Sequence, residues 1–182
     1  AVVSLGGGSP IDAGKLAVAM AATGLGPEHL GTFKSAAPLG AAPIHVALPT
    51  TLSGAELSPT AGFTANGRKT GIFHAALAPT WVLADSRLAL ETPLPLWLST
   101  GVRSIDHAVE GLLAEGTHPL SDATAREGLP RLMRALEATS ASPDSLEARH
   151  EAQLAAWLCY QLPMESQTGP SHALGKRLGA SF

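Results

Sequence analysis

Ala1-Val2-Val3-Ser4-Leu5-Gly6-Gly7-Gly8-Ser9-Pro10-Ile11-Asp12 decides the fold. Residues 1–5 read as a buried strand that runs straight into three glycines. A helix is expected to follow from Pro10 to Ala22, with small and apolar residues at Ala13, Leu16, Ala17, Met20 and Ala21. Ser9 suits the N-cap, Pro10 the first helical position, and Asp12 the place from which a side chain returns a hydrogen bond. Gly24 and Gly26 mark the stop. A strand, a glycine run and a helix N-terminus together make an anion site, because backbone N–H groups can approach a phosphate and the helix adds partial positive charge. The pattern is neither the dinucleotide G-x-G-x-x-G nor the P-loop: Lys15 follows Gly14 but lacks the upstream glycine spacing and the following Ser or Thr. The alternative is a tight turn with no ligand. Three successive glycines, each with a high entropic cost, favour the phosphate reading.

Composition narrows the class. In 182 residues, 45% hydrophobic and 15% charged side chains describe a folded chain with small-residue helix packing, not a disordered one. A net charge of -3 gives no footprint for nucleic acid, and no apolar run reaches membrane-spanning length. The single cysteine, Cys159, excludes an internal disulfide and a cysteine-based zinc cluster. These features predict a cytoplasmic protein with neither nucleic-acid nor membrane partners.

Outward from the glycines, Ile44–Leu48 reads as a second strand ending at Pro49. Asn66-Gly67 signals a hairpin between residues 62–64 and 69–72, and Trp81–Ala84 reads as a third strand. Helical periods then take over at Trp97–Ala114, Leu120–Ala138, Ser145–Gln161 and Ser171–Leu178, with a loop over residues 140–144. The expected architecture is an α/β nucleotide-binding domain over residues 1–92 and an all-helical domain over 93–182, divided near Thr92-Pro93. A parallel strand at the very start needs neighbours, so the chain is expected to be truncated at both ends. Trp97 and Trp157 are expected in the helical core. His29, His45, His74, His118 and His150 are assigned no chemistry, and neither Ser104 nor Ser171 lies in a nucleophile elbow.

Gly6-Gly7-Gly8-Ser9-Pro10-Ile11-Asp12-Ala13-Gly14-Lys15 resembles the G-G-G-S-x-x-D-x-A-K signature of the iron-containing alcohol dehydrogenase superfamily, with Gly14 where Ala is usual. The likeness continues at Leu48-Pro49-Thr50-Thr51, Asn66–Thr70, His107–Gly111 and Ala156–Cys159. It implies a dehydroquinate synthase-like fold with the active site between the domains. It implies an NAD or NADP cofactor whose pyrophosphate lies on Gly7, Gly8 and Ser9, in the motif that also carries Asp12. Thr50, Thr51 and Ser53 would line the nicotinamide side. The segment Pro49–Glu56 is one residue shorter than the P-T-T-x-G-T-G-S-E of metal-dependent members, which resembles the maleylacetate reductase form. That resemblance implies a homodimer working in aromatic-compound catabolism.

The metal-dependent members hold iron or zinc through one Asp and three His, two of them as D-x-x-x-H on one helical face. Here the His is His107, but the Asp position holds Arg103, which has no lone pair to offer. His172 matches a third ligand, and Lys176 stands one turn later. This set argues against a metal; if one binds, its ligands are His107 and His172. Arg103, His107, His172 and Lys176 would instead form a cationic pocket for a small-molecule carboxylate. The bland alternative is that Arg103 pairs with Asp106 or Glu110 and His107 is a core residue. The leading expectation is therefore an NAD(P)H-dependent, metal-independent reductase of an oxo acid, maleylacetate reductase-like. Those reductases usually carry Asn or a similar neutral residue where Arg103 stands. The alternatives are an iron- or zinc-dependent alcohol dehydrogenase with its site rebuilt around Asp106, and a truncated nucleotide-binding fragment without catalysis.

Overall fold

The structure is a computed structural model that describes residues 1–26, 29–30, 40–65, 68–116, 118–160, 169–171 and 174–175. They form two compact units, Ala1–Thr50 with Ala55–Asp85, and Thr51–Gly54 with Ser86–Phe182.

The first unit is α/β. Strand β1 (Val2–Gly6) leads through the glycines into helix α1 (Gly8–Thr23), which ends at Gly24 in the left-handed region. Strand β2 (His45–Pro49) follows, then the hairpin of β3 (Thr60–Ala65) and β4 (Arg68–Phe73), and finally β5 (Trp81–Val82). A parallel sheet runs in the order β1-β2-β5, with Val2 opposite His45 and Gly6 opposite Pro49. β5 is shorter than the expected 81–84, although Leu83 still donates to the Ala47 carbonyl at 2.9 Å. The hairpin is antiparallel as expected, from Thr60 opposite Phe73 to Ala65 opposite Arg68; its Asn66-Gly67 turn lies outside the described residues.

β1 departs from the expectation of a buried strand. Ser4 is buried, but Val3 and Leu5 are 66% and 56% exposed. Side chains alternate faces along a strand, and only the face carrying Ser4 and His45 meets α1. One turn beyond Gly14, α1 buries Val18 and Ala19 in a core with Leu30, Ala61, Ile72 and Leu77.

The second unit is helical: α2 (Ser86–Ala89), α3 (Leu94–Leu113), α4 (Pro119–Ala141) and α5 (Leu146–Cys159). Its core gathers Trp97, Ala108, Leu132, Ala152, Ala155 and Cys159. The helices approach closely through small residues. A Cβ on Gly101 would stand 2.5 Å from Leu136 Cδ2, and one on Gly128 would stand 3.0 Å from the Cys159 backbone nitrogen. Burial pushes the Cys159 thiol up to about 12, so it is an inert core thiol.

The helices of this unit begin at Ser86, and one side chain ties the first of them to the rest. Buried Arg149 on α5 donates from Nη1 to the carbonyls of Ala89 (2.8 Å) and Thr92 (3.3 Å) and from Nε to Pro143 (3.1 Å). Its guanidinium also lies 4.6 Å over the Trp97 ring. α2 is thereby tied to the helices.

Two further expectations need correction. Trp157 is 56% exposed and does not pack in the core, because the small residues on the inner face of α5 already meet their neighbours there. Ser140 and Ala141 complete the last turn of α4, which leaves a shorter loop before Ser145, the N-cap of α5. The helix expected over Ser171–Leu178 falls largely outside the described residues. Among the described residues, no helix is long and apolar enough to cross a membrane.

Candidate active-site elements

The glycine turn is built differently from the expected cap. Gly6 takes φ +139°, a conformation that favours glycine, and a Cβ there would stand 2.7 Å from Pro10 Cγ. That turn lets the helix begin at Gly8, with Gly7 rather than Ser9 as N-cap. Ser9 and Pro10 therefore lie inside the first helical turn, and no side chain among the described residues caps it. The first turn also carries no acidic residue. Backbone N–H groups of Gly8 and Ser9 are thus offered at the positive end of a 16-residue helix, with no carboxylate to repel an anion.

Asp12 does not return a bond to the cap. Its Oδ2 accepts from the Gly62 backbone N–H at 3.0 Å, and its Oδ1 lies 3.3 Å from Lys15 Nζ. One turn into the helix, it reaches the hairpin instead. Lys15, given no role from sequence, is fully buried and donates from Nζ to the carbonyls of Ala55 and Thr60, each at 2.6 Å. It straps α1 to the chain that follows the Pro49-Thr50-Thr51 motif. Burial lowers its pKa, against the opposing pull of Asp12 and then Glu56. Burial likewise raises the pKa of Glu56, which lies beside this ammonium. The only sequence signal for this strap was the Asp12–Lys15 spacing, which puts both on one helical face.

The three hydroxyl residues of the second motif divide between the units. Thr50 donates from its backbone to the Gly6 carbonyl at 3.0 Å, which fixes the motif beside the glycine turn. Thr51–Gly54 belongs with the helices. Thr51 Oγ1 and Ser53 Oγ lie 3.2 Å apart and bond to each other. Leu52 between them is clamped to α3, where its N–H donates to Thr100 Oγ1 at 3.2 Å and its carbonyl accepts from Ser104 Oγ. Ser104 is therefore a clamp, and neither it nor Thr100 was legible as one.

One turn beyond Ser104 on the same helix, His107 is 3% exposed. Its ring meets Tyr160 edge to face, with centroids 4.8 Å apart and planes at 84°. Arg103 is half-buried, and its Nη1 lies 3.0 Å from Asp106 Oδ2. This is the ion pair of the bland alternative. One such bond uses part of a guanidinium's five donors, so Arg103 retains the capacity to bind a second carboxylate. The pair also occupies the carboxylate on which a rebuilt metal site would depend. Among the described residues no group of three His, Cys, Asp or Glu side chains could hold a metal. His172 and Lys176 lie outside the described residues. Of the four residues expected to form the pocket, Arg103 and His107 are placed, one turn apart on α3.

Three other histidines among the described residues serve structure. His74 and His118 accept at Nδ1 from the backbones of Ala76 and Leu120, and His118 is the N-cap of α4. His45 is buried against Ser4.

An α/β unit with a glycine turn before its first helix, followed by a helical unit, defines the class of fold: α/β, then all-helical. Residues 1–86 match the family described as iron-containing alcohol dehydrogenase. Maleylacetate reductase of Pseudomonas aeruginosa is 36% identical over 137 residues, 75% of this chain and 39% of its own length. Maleylacetate reductase of Rhizobium sp. (strain MTP-10005) is 33% identical over 181 residues, 100% of this chain and 46% of its own. The crystal structure of the Rhizobium enzyme matches with a TM-score of 0.79 at 31% identity, covering 98% of this chain and 45% of that one. Sulfoacetaldehyde reductase from Bifidobacterium kashiwanohense, in complex with NAD+, matches with a TM-score of 0.84 at 28% identity, covering 97% and 47%. Residues 1–86 thus belong to the iron-containing alcohol dehydrogenase family, and the whole chain is similar to the maleylacetate reductases. It spans less than half the length of these curated relatives.

Proposed function

We propose that this chain supplies the cofactor turn and the proton-donating helix of an NAD(P)H-dependent reductase of an oxo acid, maleylacetate reductase-like and independent of metal. The observation that carries this reading is the presence, in one unit, of a carboxylate-free helix start at Gly7-Gly8-Ser9 that no side chain among the described residues caps, and, in the other, of Arg103 and His107 one turn apart on α3. A dinucleotide fits the first element, because its pyrophosphate would take the N–H groups of Gly8 and Ser9 that no side chain caps. The nicotinamide, when bound, supplies the hydride. Thr51 and Ser53 hold their hydroxyls together in the loop that the reading places on the nicotinamide side. Arg103 would bind the substrate carboxylate, and His107 would deliver the proton to the carbonyl oxygen as hydride arrives at carbon.

A metal fits the described residues poorly. The carboxylate nearest His107 in sequence, Asp106, is engaged by a guanidinium, which repels a cation. The reading is tested by titrating the protein with NADH and NADPH while following tryptophan fluorescence, and by NADH oxidation with maleylacetate before and after exhaustive chelation. Saturable quenching and chelator-insensitive turnover are expected. Binding of neither nucleotide removes the proposal; turnover abolished by chelation and restored by iron or zinc transfers it to the metal-dependent alcohol dehydrogenases.

A further inference from the structure

The Tyr160 ring meets two parts of the helical unit that the proposed reaction must keep in register. Its contact with His107 is edge to face, 4.8 Å between centroids at 84°. It also closes against the backbone of Gly54, where a Cβ would stand 2.5 Å from Tyr160 Cδ2. Gly54 has φ +74°, so the loop reaches this position in a conformation that favours glycine. The same loop is held to α3 by Thr100 and Ser104, the latter one turn before His107.

An imidazole plane is weakly fixed by its own side chain, because the torsion that turns it has a broad minimum. Proton delivery, by contrast, depends on the direction in which the ring nitrogen points. A ring packed perpendicular against the imidazole restricts that swing, and aromatic pairs prefer this arrangement. We infer that Tyr160 is a positioning residue: its ring fixes the plane of His107 relative to the Thr51–Gly54 loop, and so sets where His107 presents its proton. This rests on the proposed reductase reading. The role is assigned to the aromatic ring and not to the hydroxyl.

The test compares Tyr160→Phe, which keeps the ring, with Tyr160→Leu and Tyr160→Met, which fill volume without one. Four quantities are read: kcat and KM for NADH-dependent reduction of maleylacetate, the Kd for NADH, and the ring-proton resonances of His107, assigned by their loss in His107→Gln. The aliphatic variants should lower kcat by about 10- to 100-fold. Kd for NADH and KM should stay within about twofold, because neither binding element has moved. The His107 resonances should lose their ring-current displacement in the same variants. Tyr160→Phe should restore both kcat and the displacement. The inference is overturned if kcat survives in a folded aliphatic variant, or if Tyr160→Phe falls as far as they do. A wild type that binds NADH but reduces no maleylacetate defeats the reductase reading alone. The resonances then decide separately, since an unshifted His107 in the aliphatic variants overturns the positioning whatever the substrate.

Discussion

A Cβ on Gly14 would stand 2.7 Å from Nε2 of His45 and 3.1 Å from Cβ of Ser4. Those two side chains are bonded to each other at 2.8 Å beneath α1. Where the related signature usually carries Ala, this chain has a glycine with an imidazole filling the space. Gly14→Ala should therefore destabilise the α/β unit by about 1–3 kcal/mol through overpacking. His45→Ala removes the obstacle, so the double variant should lose less than the sum of the single losses. Urea denaturation of all four proteins closes the cycle. Strict additivity would show that the two positions do not compete for space.

His45 also makes stability depend on pH. Burial, then the Lys15 charge, hold its pKa below the ordinary 6.5. The protonated ring carries hydrogens on both nitrogens, among them Nδ1, a buried atom with no partner among the described residues. The unfolded chain thus takes up the proton at higher pH than the folded one. The stabilising contribution is fully present above pH 6.5 and is lost as pH falls from there through the folded pKa. Melting temperature should fall across that acid range in the wild type and fall less in His45→Ala. Parallel curves for the two proteins would remove His45 as the cause.

Arg149 joins α5 to α2 through the Ala89 and Thr92 carbonyls while lying over Trp97. A lysine cannot reproduce this, since its ammonium lacks the planar fork that stacks and donates in several directions at once. Arg149→Lys and Arg149→Met should each destabilise the helical unit by about 2–4 kcal/mol, mainly by leaving buried carbonyls without donors. Denaturant midpoints check this. A lysine variant as stable as the wild type would show that charge alone suffices.

What the sequence disclosed and what it hid follow the range of the interactions. Gly6–Gly8 between an apolar run and small-residue helical spacing marks the β1–α1 turn, and Asn66-Gly67 between residues 62–64 and 69–72 marks the hairpin, because both patterns are local. The cap was misplaced because Gly6 at φ +139° lets the helix start ahead of Ser9, and sequence does not state a dihedral angle. Lys15 and Arg149 were hidden for the opposite reason. Each reads as an ordinary helical cation, and each is buried because carbonyls far along the chain converge on it. Tyr160 and His107 are likewise distant in sequence, and no periodicity pairs them. For Arg103 the local pattern did supply the partner, since Asp106 is one helical turn away.

That pair gives the most direct test of the proposed site. The ion pair is partly exposed, at 34% and 19% of the two side chains, so its loss should change stability by no more than about 1 kcal/mol. Arg103→Ala should accordingly fold normally and bind NADH normally while raising KM for maleylacetate by about 10-fold or more, the value of a charge-assisted bond to carboxylate. Asp106→Asn makes the opposite prediction. It removes the internal carboxylate that competes for the guanidinium, so KM for an acidic substrate should fall, whereas a neutral aldehyde should be unaffected. Steady-state kinetics with both substrate types separates these outcomes. If Arg103→Ala leaves KM for the acid unchanged, Arg103 is only the surface partner of Asp106, and substrate recognition must be sought elsewhere in the protein.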